Sequence, residues 1–278
     1  MRTILAVLWS EQDAPRVLDA AFTLAARFAS HLTTLYVRPT AENFLPSGDF
    51  GLAFSKEYME RIQHEGHKKA VLLRGLFDAA VERHRGDPGA SSLTAEWVEA
   101  EGSGALYLGG IGRVHDLIVL ARPDAKSSAE NEILLEAALF ETGRAVLTVP
   151  PNATPQMGTT TLVAWNGSTE TVRALAMGLP LLAGSNVTVL SVDGAMVPGP
   201  SSADIVRYLQ HHNVPAQARH IANPSSTAGE TFLSEATAIG ADLIIKGAYT
   251  QSRLRQMVFG GSTRHIIANA TLPVLMAH

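Results

Sequence analysis

Short apolar runs rich in β-branched residues alternate along the chain with longer stretches in which apolar positions recur every three or four residues. The first pattern predicts buried strands and the second amphipathic helices. Residues 3–8 read as a strand, residues 14–30 as a helix with Val17, Leu18, Ala21, Leu24, Ala25 and Phe28 on one face, and residues 32–37 as a second strand. The same order returns at residues 161–165, 170–183 and 186–192. Asp116-Leu-Ile-Val-Leu-Ala likewise matches Asp242-Leu-Ile-Ile-Lys-Gly, and Ala145-Val-Leu-Thr-Val-Pro matches Pro273-Val-Leu-Met-Ala-His. One α/β unit is therefore written twice. The first copy carries extra residues, 42–85, with a helical stretch from about Lys56. Pro150-Pro-Asn-Ala-Thr-Pro-Gln-Met-Gly158 stops any regular element and marks the junction, which gives domains 1–153 and 154–278.

Strands alternating with crossover helices predict two tandem α/β domains, each an open parallel sheet of the Rossmann-like kind with helices on both faces. Ligands in such sheets bind beyond the carboxyl ends of the strands. Attention falls on the residues following Trp165, Val192 and Lys246.

The 278 residues are 46% hydrophobic and 17% charged, enough for two ordinary cores. A net charge of −4 supplies no broad basic field for nucleic acid or an anionic membrane, so neither is an expected partner. The chain has no cysteine, which removes disulfides, thiolate metal sites and cysteine nucleophiles together. No run approaches the roughly 18 apolar residues of a membrane-spanning helix, and the first strand is too short for a signal-peptide core. The expected location is the cytoplasm.

The strand at residues 242–246 runs into Gly247-Ala-Tyr-Thr-Gln-Ser-Arg-Leu-Arg-Gln-Met-Val-Phe-Gly-Gly-Ser-Thr263 and then an apolar-periodic helix through Ile266, Ile267 and Ala270. A strand, a glycine-bearing loop and a helix start can cradle phosphate, because glycine lets backbone approach oxygen and first-turn amides carry partial positive charge. Ser262 and Thr263 suit the helix start, and Arg253 and Arg255 add cations. The plainer alternative is a capped helix beside a solvated face. The loop is not a Walker A, since no glycine is followed by Lys-[ST], and no G-x-G-x-x-G follows a strand.

Gly247, Thr250 and Gly260 hold the spacing G-x2-G-x9-G, and Gly-Ala-Tyr-x-x-Ser-Arg-Leu-Arg…Phe-Gly-Gly-x-Thr-Arg surrounds them. This resembles the nucleotide loop of the universal stress protein family in its tandem bacterial form, and the resemblance covers both halves of the chain. It implies a fold of the adenine-nucleotide α-hydrolase (HUP) type and an ATP ligand, with magnesium as companion ion. The implied contacts are Ala164, Trp165 and Asn166 at the first strand end, Val192 at the second, and Gly247, Ala248, Thr250, Arg253, Gly260, Gly261, Ser262 and Thr263 around the phosphates. Two departures stand out: Thr250 replaces a glycine, and Gly261 stands where the family has a hydroxyl, which Ser262 would supply. Asn166 takes the place of a ribose-binding aspartate. Asn166-Gly-Ser also reads as an Asx-type turn capping a helix, and Val192 also reads as plain core.

The matching segment of the first copy, Ala121-Arg-Pro-Asp-Ala-Lys-Ser-Ser-Ala-Glu-Asn-Glu132, has no glycine, and Asp124, Glu130 and Glu132 would repel a triphosphate. That copy is expected to be structural. By the same resemblance the two closing strands, 145–149 and 273–277, are expected to pair within the chain, and a homodimer is a further expectation. His64 and His67 read as a solvated helix face, adjacent His211 and His212 as a poor chelate, and Glu96, Glu99 and Glu101 as an edge strand. The leading function is a nucleotide-binding regulatory protein of stress physiology. A protein-interaction module without nucleotide, and a slow ATPase needing a water-orienting carboxylate near Gly260, are the alternatives.

Overall fold

The computed structural model describes residues 1–40, 56–86, 93–123, 129–154, 156–248 and 261–278. It divides into two compact units, residues 1–121 with 129–142, and residues 122–128 with 143–278.

In the first unit β1 (Thr3–Val7) pairs in parallel with β2 (His31–Arg38) on one side and β4 (Leu117–Ala121) on the other. The strand β3 (Thr94–Glu101) extends the ladder from β2, giving the order β3-β2-β1-β4. Four of the five residues of β1 and all five of β4 are buried, as a strand covered on both faces requires. By contrast β3 alternates between exposed and half-buried positions, and Arg38 reaches the carboxylates of Glu99 at 3.4 Å and Glu101 at 3.2 Å. The acidic residues around Trp97 thus belong to a surface strand, as expected.

Helix α1 (Ala14–Phe28) buries Val17, Leu18, Ala21, Phe22, Leu24 and Ala25. It stops two residues short of the expected end because Ala29 turns left-handed, at φ 50°, and donates its N–H back to the last carbonyls. The extra residues of the first copy form α2 (Lys56–His84), packed on α1 through Phe77 against Phe22, their ring centroids 6.1 Å apart. Residues 42–55 lie outside the described residues. His64 and His67 are exposed on α2. The unit is completed by α3 (Gly104–Ile111) and α4 (Ala129–Glu141).

The second unit has β6 (Thr160–Trp165) between β7 (Asn186–Val192) and β9 (Leu243–Gly247), with β8 (Ala216–Ile221) outside β7. All run parallel, and β8-β7-β6-β9 repeats the order of the first unit. Next to β9 lies β10 (Val274–Ala277), parallel to it and antiparallel to β5 (Ala145–Val149), with Leu275 opposite Leu147. The two closing strands therefore pair within the chain. The compact units and the expected junction near Thr154 are different cuts, since β5 precedes that junction but gathers with the strand it pairs with.

Helices α5 (Thr169–Gly178), α6 (Ser202–His211), α7 (Ala228–Ala238) and α8 (Ser262–Asn269) cover this sheet. The sequence predicts one helix over 170–183; the α-helix ends at Gly178 and a 3-10 turn, Leu179–Leu182, follows. Pro180 has no N–H to continue the α ladder. Gly178 also lets α5 lie close on the sheet, because a Cβ there would stand 2.5 Å from a Leu275 methyl. In β9 and β10 every side chain is buried, each large aliphatic one adding about 1.5–3 kcal/mol.

Because β5 is hydrogen-bonded to β10, a single cut near Thr154 should leave both fragments eluting together under native conditions and separating only in denaturant. Size-exclusion chromatography of the nicked chain measures this; two independently soluble halves would refute the pairing.

Candidate functional site

Strands buried on both faces leave only their carboxyl ends for polar chemistry. In the second unit these ends meet at Asn166, Gly247 and the start of α8. Asn166 begins the turn out of β6. Its Oδ1 accepts from Ser168 N at 3.2 Å and from Thr171 Oγ1 at 2.7 Å, and Ser168 Oγ caps α5 by accepting from Thr171 N at 3.2 Å. The Asx-type turn is present as a hydrogen-bonded fact. Gly167 is required within it: its φ is +85°, and a Cβ would meet the Val197 carbonyl oxygen at 2.5 Å. The segment after β7 closes over this turn, with Val197 N donating to Asn166 O at 2.8 Å and the fully buried Trp165 donating Nε1–H to Pro200 O at 3.0 Å.

At the end of β9 the Gly247 N–H donates to Thr171 Oγ1 at 3.1 Å, and Ala248 N donates to Ala277 O at 2.8 Å. The expectation that amides around 247 turn outward to an anion needs correcting here. Those of Gly247 and Ala248 are committed inside the unit. Gly247 is demanded by packing, since a Cβ would lie 2.6 Å from the backbone nitrogen of Thr171. One hydroxyl, Thr171 Oγ1, thus ties the end of β9 to the turn after β6.

Gly261 is the N-cap of α8, is exposed, and brings no side-chain capping bond. Ser262 opens the helix half-buried. Thr263, 7% exposed, directs Oγ1 at Lys246 Nζ, 2.7 Å away. Thr250, Arg253 and Gly260, with Arg255, lie outside the described residues. Ala164 is 2% exposed and stands beside Lys246 in the ladder, and Val192 is wholly buried at the end of β7.

Lys246 is the residue that motif reading passed over. It is 5% exposed, and its ammonium donates to the Gly247 carbonyl at 2.9 Å and to Thr263 Oγ1 at 2.7 Å. Neither partner is charged. Burial lowers its pKa from 10.5 to about 7. The signal was available: Asp242-Leu-Ile-Ile-Lys ends an apolar run on a cation where the first copy has Leu120. From residue 243 to residue 278, moreover, the sequence holds Lys246, Arg253, Arg255 and Arg264 and not one Asp or Glu.

Two other constellations were tested against the geometry. Ser191 Oγ lies 3.0 Å from His220 Nδ1, and His220 Nε2 lies 3.2 Å from Asp193 Oδ1, which has the connectivity of a hydrolytic triad. Ser191 is only 4% exposed and is the ladder partner of His220, so the set is a cross-strand pair rather than a nucleophile open to substrate. In the first unit the corresponding strand ends line a small hollow of about 10 Å³ through Leu8, Trp9, Asp13, Leu120, Asn131 and Leu134. Asp13 there is already paired with Arg16, and Ser10 Oγ donates to it at 2.6 Å. Glu130 and Glu132 open α4, whose first turn is thereby acidic, whereas that of α8 is not. Asp124 lies outside the described residues.

The sequence profile of the universal stress protein family matches residues 157–278. The match to that family is carried by these residues, the second of the two repeats. A universal stress protein from Archaeoglobus fulgidus DSM 4304 has a similar fold, with a TM-score of 0.70 at 16% identity over 99% of this chain and 95% of that one. A functionally unknown protein from Pseudomonas aeruginosa PAO1 is similar at a TM-score of 0.56 and 13% identity, over 99% and 92% of the two chains. No curated protein sequence matches. Both solved structures cover 99% of this chain, so the α/β fold they share extends to the first unit as well as to the segment that carries the family pattern. Among the described residues, no helix is long and apolar enough to cross a membrane and no cluster of metal-ligating side chains occurs.

Two measurements check the site's internal wiring. Thr171→Val keeps the shape but removes the acceptor for Gly247 N and the donor to Asn166, and should cost about 1–3 kcal/mol in urea unfolding. Lys246 titrates near 7 folded and near 10.5 unfolded, so the unfolded chain holds the extra proton between those values. Stability from this group is fully present above the upper value and falls as pH drops through the window. Lys246→Met should therefore melt higher than the parent at pH 7, with the gap closing toward pH 10.

Proposed function

We propose that the second domain, the part that matches the universal stress protein family, binds an adenine nucleotide at the carboxyl ends of β6, β7 and β9, and that binding regulates its partner contacts. The observation that carries this reading is the charge pattern at the start of α8. A helix without a side-chain cap begins beside a buried lysine, in a 36-residue stretch, 243 to 278, that contains four cationic side chains and no Asp or Glu. Helix N-termini favour anions, and a phosphate answers both features.

ATP is the proposed ligand, its phosphates at the first turn of α8 among Gly260, Gly261, Ser262 and Thr263, with Arg253 beside them. The adenosine end lies toward Ala164, Asn166 and Val192. Magnesium enters on the phosphates, since a hard dication is brought by phosphate oxygens where protein carboxylates are missing. Turnover would need a carboxylate to orient water, and the sequence offers none after Asp242. The proposed role is regulatory, exercised in the cytoplasm, with at most weak ATP hydrolysis.

A second reading is favoured by a different observation. Gly247 N and Asn166 Oδ1 are already bonded to Thr171, which fits a domain working through protein contacts alone. One experiment separates the two. Purified full-length protein should release an adenine compound on denaturation, detected by mass spectrometry. Added ATP at about 100 times Kd should stabilise the fold by about 2.7 kcal/mol, read as a rise in Tm. No adenine compound and no shift at millimolar ATP would leave the interaction module.

A further inference from the structure

We propose that Lys246 is the buried cation that receives an anionic phosphoryl group at the start of α8, handed outward through Thr263. The inference rests on the nucleotide reading only for the identity of the ligand; its own ground is a buried ammonium whose partners among the described residues are two neutral oxygens. Lys246 Nζ has two partners among the described residues, both neutral oxygens, and an ammonium has three protons to give. It lies beside the first turn of α8, the helix end where a positive charge is opposed rather than favoured. At the other end of the same helix the arrangement is the favourable one: Arg122 Nη1 donates to the carbonyls of Ile267 at 2.8 Å and Ala268 at 2.6 Å.

Among the described residues, no Asp or Glu side chain pairs with Lys246. In the ladder Lys246 stands between Ala164 and Met276. On α8, Arg264 is exposed and His265 packs against Gly229 of α7. The carboxylate of Glu230 on α7 caps its own helix by accepting from Thr227, and that of Glu170 on α5 accepts from Thr169 Oγ1 at 3.1 Å. Asp242, at the far end of β9, receives the amides of Gly158, Thr159 and Thr160. His278 faces the Ala248 carbonyl at 3.1 Å. Thr263 Oγ1 accepts from Lys246 and keeps its own proton to donate, so the pair forms a short relay from the interior to the helix start.

An approaching dianion favours the charged form of Lys246, which burial otherwise holds to a pKa of about 7. Below that value the amine is already charged and binding moves no proton. Above it, binding takes up one, and affinity falls as pH rises, approaching tenfold per pH unit. The phosphates of ATP are near full ionisation in the upper part of this range, so the dependence seen there with ATP belongs to the protein; pyrophosphate still loses a proton of its own in the range, and that release is subtracted.

Isothermal titration of the full-length protein with ATP, pyrophosphate and adenosine, from pH 7.5 to 9 in two buffers of different ionisation enthalpy, tests this. The expected result is uptake of close to one proton for ATP, the same for pyrophosphate once its own ionisation is allowed for, and none for adenosine. In Lys246→Met, an apolar replacement like Leu120 of the first copy, uptake disappears and ATP binds at least tenfold more weakly at pH 7.5. Lys246→Arg, which cannot lose its charge, should show no uptake either, and any binding it retains should not vary with pH. ATP binding that is tight but equal in the parent and in Lys246→Met, without proton uptake, overturns the role of Lys246 and leaves the nucleotide reading intact. Proton-linked pyrophosphate binding without any ATP binding does the reverse. Failure of both anions to bind the parent overturns both.

Discussion

Burying a parallel strand on both faces is the constraint from which the chemistry of this protein follows. Every side chain of β4, β9 and β10 is buried, so these strands accept polar groups only at their ends or with partners brought to them. Thr171 shows how the second unit meets that demand. It sits in the first turn of α5, and through a single hydroxyl it accepts from Gly247 N and donates to Asn166 Oδ1, joining two neighbouring strand ends. That junction needs α5 to approach closely, and Gly247 permits it where any Cβ would collide with the helix backbone.

The architecture was legible because periodicity survives without an alignment. Alternation of strand and helix, written twice, predicted a parallel α/β sheet in each copy, and Asp116 and Asp242 marked the same strand start in both passes. The strands at 3–8 and 32–37 were placed to within a residue or so of β1 and β2. What failed was local. Pro180 divides the helix read over 170–183, because the apolar spacing of Leu179, Leu181 and Leu182 continues through a residue that cannot extend the hydrogen-bond ladder.

Local detail at the strand ends was misread for a related reason. A glycine in a loop motif admits two explanations, close approach of a ligand and close approach of the protein's own backbone. Sequence alone does not separate them. At Gly247 the neighbour is Thr171, and at Gly167 it is the Val197 carbonyl; at Gly261 a Cβ would meet nothing within 4 Å. Asn166 similarly turned out to hold the turn that caps α5, the plainer of its two readings.

Lys246 went unread for the opposite reason, since motif reading looks at glycines and hydroxyls in a loop and not at the last side chain of the strand before it. The two units provide an internal comparison. Where the first has Leu120, 3% exposed, the second has Lys246, 5% exposed, in the matching place at the end of the equivalent strand. Leucine satisfies the packing, so packing does not explain lysine. Burying an amine in place of an aliphatic side chain costs stability unless a compensating charge arrives. The acidic first turn of α4 beside Leu120, and the segment from 243 to 278 around Lys246 with no Asp or Glu, separate the two units in the sense that an anion at the second alone would require.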